Sequence, residues 1–161
     1  MKETSIIYKT NSDITTVNNG VIVHGVNCQG VMGSGVAKAL KNKWPKIYIE
    51  YSKLFENNKP RPKLLGKSQL VQVNDNLKIF NAFTQNTYGR TGIHANPEAI
   101  KSSLENVIIT LHMISDNHIS HINIPKLGAG LGGLNWSKDV LPILEQLSNK
   151  HDIIFIVHSI D

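Results

Sequence analysis

One stretch constrains this chain more than any other: Val21-Ile-Val-His-Gly-Val-Asn-Cys-Gln-Gly-Val-Met-Gly-Ser-Gly-Val-Ala37. It opens as an apolar run at 21–23, which reads as a buried strand. It turns polar at 24–29 and then glycine-rich, with Gly30, Gly33 and Gly35. Helical spacing follows at once in Val36, Ala37 and Leu40. A strand, a glycine loop and a helix start make an anion site. The first turn of a helix leaves backbone N–H groups without partners, and aligned peptide dipoles add partial positive charge there. Glycines let a phosphate approach the bare backbone. Ser34 takes the N-cap position, where its hydroxyl caps the helix or touches a ligand. A glycine loop also serves as a plain tight turn, so this loop alone leaves both readings open.

A length of 161 residues suits one domain, spanning 1–161, with a real core. No apolar run approaches the roughly 18 residues of a membrane span. The start, Met1-Lys-Glu-Thr-Ser5, lacks a long apolar segment, and Cys28 is the only cysteine. Both point to a cytoplasmic protein without a secretory signal or disulfide. The net charge is +5, but the basic residues are scattered apart from 38–46 and Lys59-Pro-Arg-Pro-Lys63. A solvated helix face and a loop account for those, leaving nucleic acid only as part of a larger substrate.

Taken in order, 5–8 reads as a strand and 14–17 as a short extended piece. A helix is expected at about 34–42, and a second starts at Trp44-Pro45, with Ile47, Tyr51, Leu54 and Phe55 on one face. Strands at 68–73 and 77–83 form a hairpin through Asn74-Asp-Asn76. Asn96-Pro97 starts a helix reaching about 115, and 119–124 is a strand. A helix at about 137–147 is either kinked by Pro142 or carries it in its first turn, and 153–157 closes the chain as a strand. Buried strands alternating with helices predict an α/β sandwich, and the hairpin makes its sheet mixed.

Gly128-Ala-Gly-Leu-Gly-Gly133 is a second glycine loop between a strand and a helix. It satisfies G-x-G-x-x-G, but a dinucleotide fold needs that loop after its first strand and an acidic residue ending the next one. Here the loop comes late, and Asp152 opens the last strand. There is no G-x-x-x-x-G-K for a nucleoside triphosphate. A cysteine phosphatase needs arginine six places after its nucleophile, and six places after Cys28 stands Ser34. His118 and His121 have no companion ligand, and His112, His151 and His158 stand alone, so no metal is expected. What remains is two glycine loops suited to adjacent phosphates, with a polar loop at 84–88 between them: a pocket for a diphosphate ligand, with no metal or cofactor.

These motifs resemble the macrodomain family of ADP-ribose-binding modules along nearly the whole chain. Ser12-Asp-Ile-Thr15 is similar to the family's G-D-I-T start. Val23-His-Gly-Val-Asn-Cys-Gln-Gly30 with Gly33-Ser-Gly-Val-Ala37 is similar to its first phosphate loop. Ile124-Pro-Lys-Leu-Gly-Ala-Gly-Leu-Gly-Gly-Leu-Asn-Trp136 is similar to its second. The resemblance implies a single-domain, three-layer α/β/α sandwich with a mixed, mostly parallel central sheet.

By the same resemblance, Asp13 accepts from the adenine amino group and Ile14 lines the adenine pocket. Gly33, Ser34, Gly35 and Val36 hold the diphosphate from one side, with Cys28 beside them. Leu127, Gly128, Ala129, Gly130, Leu131 and Gly132 hold it from the other. Asn86 or Tyr88 closes over the terminal ribose, and Thr84 is a further ligand-binding residue. The nearest branch in motif is the ADP-ribose 1″-phosphate phosphatases, some of which carry a histidine at the place of His24. That implies His24 as general acid or base, with Asn27 and Gln85 orienting ribose and phosphate. A related branch removes ADP-ribose from acidic side chains or DNA bases with a lysine where this chain has Gln85. Its protein-directed members add an aspartate where this chain has Gly132. Glutamine forms no Schiff base, so a lysine-dependent route is closed. The expected ligand is ADP-ribose or its 1″-phosphate, bound by a monomer. The alternatives are hydrolysis of an ADP-ribosylated protein or nucleic acid without the lysine, and a module that binds ADP-ribose without turnover.

Overall fold

The computed structural model describes residues 5–114 and 119–160. Six strands form one sheet: β1 (Ile6–Lys9), β2 (Gly20–Val26), β3 (Ser68–Asn74), β4 (Leu77–Phe83), β5 (His121–Pro125) and β6 (Ile154–His158). Four helices flank it: α1 (Gly35–Lys43), α2 (Lys46–Ser52), α3 (Pro97–Ile114) and α4 (Leu141–His151). The strand order is β1-β6-β5-β2-β4-β3. Every neighbouring pair is parallel except the β3–β4 hairpin, so the sheet is mixed and mostly parallel, as its sequence pattern predicts.

Alternation along the strands fills two layers. Val21 and Val23 of β2 and Phe80 and Ala82 of β4 pack with Ile100, Leu104 and Ile108 of α3 and Leu144 and Leu147 of α4. Ile22, Val26, Ile79 and Phe83 point the other way, onto Leu40, Ile47 and Tyr51 of α1 and α2. The three-layer sandwich follows from these two apolar faces. No helix among the described residues is long and apolar enough to cross a membrane.

Several elements differ from the sequence expectation. The piece at 14–17 is a 3-10 turn (Ile14–Thr16), because the Asp13 side chain caps Thr15 N and folds the backbone back. The second helix ends at Ser52, and Leu54 and Phe55 pack from the turn beyond it. Pro142 lies in the first turn of α4, which follows a wide π turn at Trp136–Val140, so it breaks no bond inside a helix. The end of the α3 expectation and His118 lie outside the described residues.

The topology fixes where a ligand can sit. From β2 the chain crosses α1 and α2 on one face towards β4. From β5 it crosses α4 on the other face towards β6. Loops leaving β2 and β5 therefore part in opposite directions and open a crevice at the strands' carboxyl ends.

Candidate functional site

That crevice is a cleft of about 580 Å³ lined by both glycine loops and by the chain after β4. Gly33, Ser34, Gly35 and Val36 line it from one side, and Leu127, Gly128, Gly130, Leu131 and Gly132 from the other. A methyl group built on Gly35 would lie 3.8 Å from Leu131 Cδ1, so the two loops nearly touch across the opening. Asn27, Thr84, Gln85 and Tyr88 also line it. Ala129 does not, though both its neighbours do.

The first loop ends at the N-terminus of α1. Ser34 stands at the cap in extended backbone without a side-chain cap bond, and it lines the cleft. No acidic residue stands in the first turn to compete for its N–H groups. Behind the loop, buried polar side chains act as a frame. Asn27 Nδ2 donates to Val31 O at 2.8 Å, while Asn27 Oδ1 accepts from Gln29 N at 2.9 Å and Val31 N at 3.4 Å. The fully buried Tyr51 adds its hydroxyl, which donates to Asn27 O at 2.8 Å and Oδ1 at 2.9 Å and accepts from Gly30 N at 3.1 Å. Asn27 therefore spends its amide on the loop, and Tyr51, which by sequence reads only as core, is part of the same frame.

The second loop is held by its own backbone. Ala129 N donates to Lys126 O at 3.1 Å, Gly133 N to Gly130 O at 3.1 Å and Leu134 N to Gly128 O at 2.9 Å. Gly132 O accepts from His94 N and Ala95 N, which docks the β4–α3 connection against it. A Cβ on Gly132 would lie 2.6 Å from Gly128 O, so no larger residue fits there. Gly25, which the motifs do not single out, is equally constrained: its Cβ would meet Thr84 Oγ1 at 2.6 Å and Leu127 Cδ1 at 3.0 Å. That glycine lets the second loop close over the end of β2.

His24 does not reach the cleft, which corrects its expected role. It shares the parity of Ile22 and Val26, points into the α1–α2 layer and is 1% exposed. Its Nε2 is 2.6 Å from Asn81 Oδ1. Asn81 Nδ2 donates to Ile47 O and Gln69 Oε1, so Asn81 Oδ1 must accept and His24 carries its proton on Nε2. Its Nδ1 has no partner among the described residues. Burial holds the imidazole down to about 4, against a smaller upward pull from Asn81, so it is neutral near pH 7.

Cys28 and Asn86 also stay outside the lining. Cys28 is a core side chain whose thiol is pushed up to about 11 by burial, and its N–H donates to Asn86 O at 3.1 Å. Gln29 Nε2 donates to the Asn86 main-chain O at 3.0 Å and to its Oδ1 at 3.3 Å. Asp13 is exposed and is not among the residues that line the cleft. Its carboxylate accepts from Thr15 N and Thr15 Oγ1, bonds that hold it below the usual range. Ile14 beneath it is core. Ser12 N donates to Ser159 O at 2.9 Å, which fixes this segment on the β6 side.

The chain after β4 supplies the rim. Gln85 Nε2 donates to Thr87 O at 2.7 Å, and Tyr88 is 54% exposed at the cleft. Arg90 and Lys126 line the cleft although both read by sequence as ordinary surface cations. Among the described residues, the titratable groups lining the cleft are Tyr88, Arg90 and Lys126; no carboxylate or imidazole lines it.

Comparison with known proteins agrees with this architecture. Residues 23–143 match the family model described as Macro domain. A 17.5 kDa uncharacterized protein of Enterobacteria phage T4 is 33% identical over 138 residues, 84% of each chain. A Candida albicans protein named ADP-ribose 1″-phosphate phosphatase is 26% identical over 140 residues, 85% of this chain and 87% of its own. A Mycobacterium tuberculosis protein named DNA ADP-ribosyl glycohydrolase is 25% identical over 148 residues, but the chain spans only 40% of its length. Among solved structures, the macrodomain of Mycobacterium tuberculosis DarG superposes with a TM-score of 0.76 at 24% identity, covering 95% of this chain and 96% of that one. The family match spans most of the chain, including both glycine loops and the cleft they form: the chain belongs to the macrodomain family.

Proposed function

We propose that the cleft binds ADP-ribose and that the chain is a phosphoric monoester hydrolase acting on ADP-ribose 1″-phosphate. The observation that carries this reading is the meeting of two backbone cradles across one cleft, with Gly35 and Leu131 at its lips. The diphosphate lies between them, the adenosine towards Asp13 and Ile14, and the terminal ribose towards Asn27, Gln85 and Tyr88. The phosphatase name carried by the Candida relative supports the choice of ester. Water attacks phosphorus, the bond from phosphorus to the ribose oxygen breaks, and a water proton ends on that oxygen. With His24 shut away, backbone amides stabilise the charge and position the ester, the main demands of phosphoryl transfer. Gln85 gives its N–H to Thr87 and keeps its carbonyl for a ribose hydroxyl.

The absence of carboxylate and imidazole from the described lining favours a second reading, a module that binds ADP-ribose without turning it over. Calorimetric titration with ADP-ribose, paired with phosphate release from the 1″-phosphate, tests both. Binding with release supports the hydrolase, and binding without release supports the module. No binding removes the reading of the cleft.

A further inference from the structure

We propose that Arg90 is a specificity-determining residue: its guanidinium reads an anionic group on the terminal ribose, so that the cleft favours the phosphate ester over ADP-ribose itself. This rests on the proposed reading of the cleft, with adenosine at Asp13. Arg90 lines the cleft on the chain after β4, the same segment that carries Gln85 and Tyr88, where that reading sets the terminal ribose.

Its donors are uncommitted. Among the described residues, no hydrogen bond or carboxylate engages the Arg90 guanidinium, and no Asp or Glu lines the cleft to compete for it. The segment that carries it is pinned. Thr87 Oγ1 and His94 Nδ1 are 3.0 Å apart, and His94 Nε2 lies 2.7 Å from Thr91 O. A Cβ on Gly89 would lie 3.0 Å from His94 Nε2, so the backbone on either side of Arg90 wraps one imidazole. His94 N and Ala95 N donate in turn to Gly132 O, holding the whole segment against the second glycine loop.

The chemistry separates the two ligands at this end alone. ADP-ribose presents a neutral hydroxyl at its terminal carbon, whereas the ester presents three acceptor oxygens that share up to two negative charges. A guanidinium offers a planar fork that pairs with two phosphate oxygens at once, and a hydroxyl uses little of it.

The test titrates wild type, Arg90→Ala and Arg90→Lys with ADP-ribose and with a non-hydrolysable 1″-phosphonate analogue. Arg90→Ala is expected to lose about 10- to 100-fold in affinity for the phosphonate and less than about twofold for ADP-ribose. Arg90→Lys recovers part of the loss, because an ammonium keeps charge but not the fork. Equal losses for both ligands, or no loss for the phosphonate, overturn the assignment of Arg90 while leaving the cleft's ligand intact. A wild type that binds neither ligand refutes the reading of the cleft on which the assignment rests.

Discussion

The two glycine loops shape one cleft by different physics. The first, leading into α1, is braced from behind by buried side chains, Asn27 and Tyr51, which satisfy its backbone groups. The second, leaving β5, braces itself with backbone hydrogen bonds, and its glycines pack so closely that Gly132 has no room for a methyl group. One loop is thus vulnerable to losing a polar atom and the other to gaining a carbon. Similar glycine content conceals this difference. It arises because α2 backs the first loop, whereas the second is packed against the β4–α3 connection.

The largest expected effect comes from the self-braced loop. Gly132→Ala drives a methyl into Gly128 O and Ala95 Cβ, at 2.6 and 2.8 Å. It should cost about 3 kcal/mol of stability by overpacking and abolish ADP-ribose binding, read by urea unfolding and calorimetry. Wild-type affinity in this variant would break the contrast between the loops.

The next test asks whether the strand beneath both loops contributes a titrating group. His24 is depressed from the ordinary histidine value of 6.5 to about 4. The unfolded chain therefore binds more protons than the folded one between these values. The histidine's stabilising contribution is full above pH 6.5 and is lost as pH falls towards 4. Stability should drop by roughly 2 kcal/mol between pH 7 and 5 from this group. Urea unfolding at both values reads it, and His24→Gln should remove that share of the slope. Because His24 lies outside the cleft, the same variant should keep its affinity for ADP-ribose.

Tyr51→Phe tests the braced loop directly. It deletes the hydroxyl that engages Gly30 N and Asn27 and should cost about 1.5 kcal/mol. ADP-ribose affinity should fall about 10-fold through disorder of the first loop. Unchanged affinity would mean that the loop keeps its shape without the frame. The smallest effect is expected at Ser34, whose hydroxyl makes no cap bond. Ser34→Ala should cost less than about 0.5 kcal/mol, where a bonded cap costs about 1. Thermal unfolding distinguishes the two.

Much of the architecture is legible in the amino-acid sequence. The apolar run at 21–23, the strand pattern at 77–83, the Asn74-Asp-Asn76 turn and the Asn96-Pro97 helix start are local signals, and each falls on the observed element, although β2 runs on three residues to Val26. The glycine loops are legible for the same reason. His24 is the exception, because a polar residue at a strand end looks like an approach to the cleft. The alternation of Val21, Ile22, Val23 and His24 already puts it on the opposite face from Val23, but its cover by the α1–α2 layer comes from packing. Arg90 carries no local signal either, since nothing within a few residues distinguishes a cleft arginine from a solvated one.

The sequence by itself determined the parts: buried strands, helix starts, and two loops whose glycines expose backbone N–H groups. It did so because backbone preference and apolar periodicity act over a few residues. Tertiary structure alone decided that the loops face each other, that Tyr51 braces one of them, that His24 is sealed beneath the cleft and that Arg90 opens onto it. These depend on the order of β5, β2 and β4 in the sheet and on which helix covers each face, and contacts between residues tens of positions apart leave no mark on either one's neighbours.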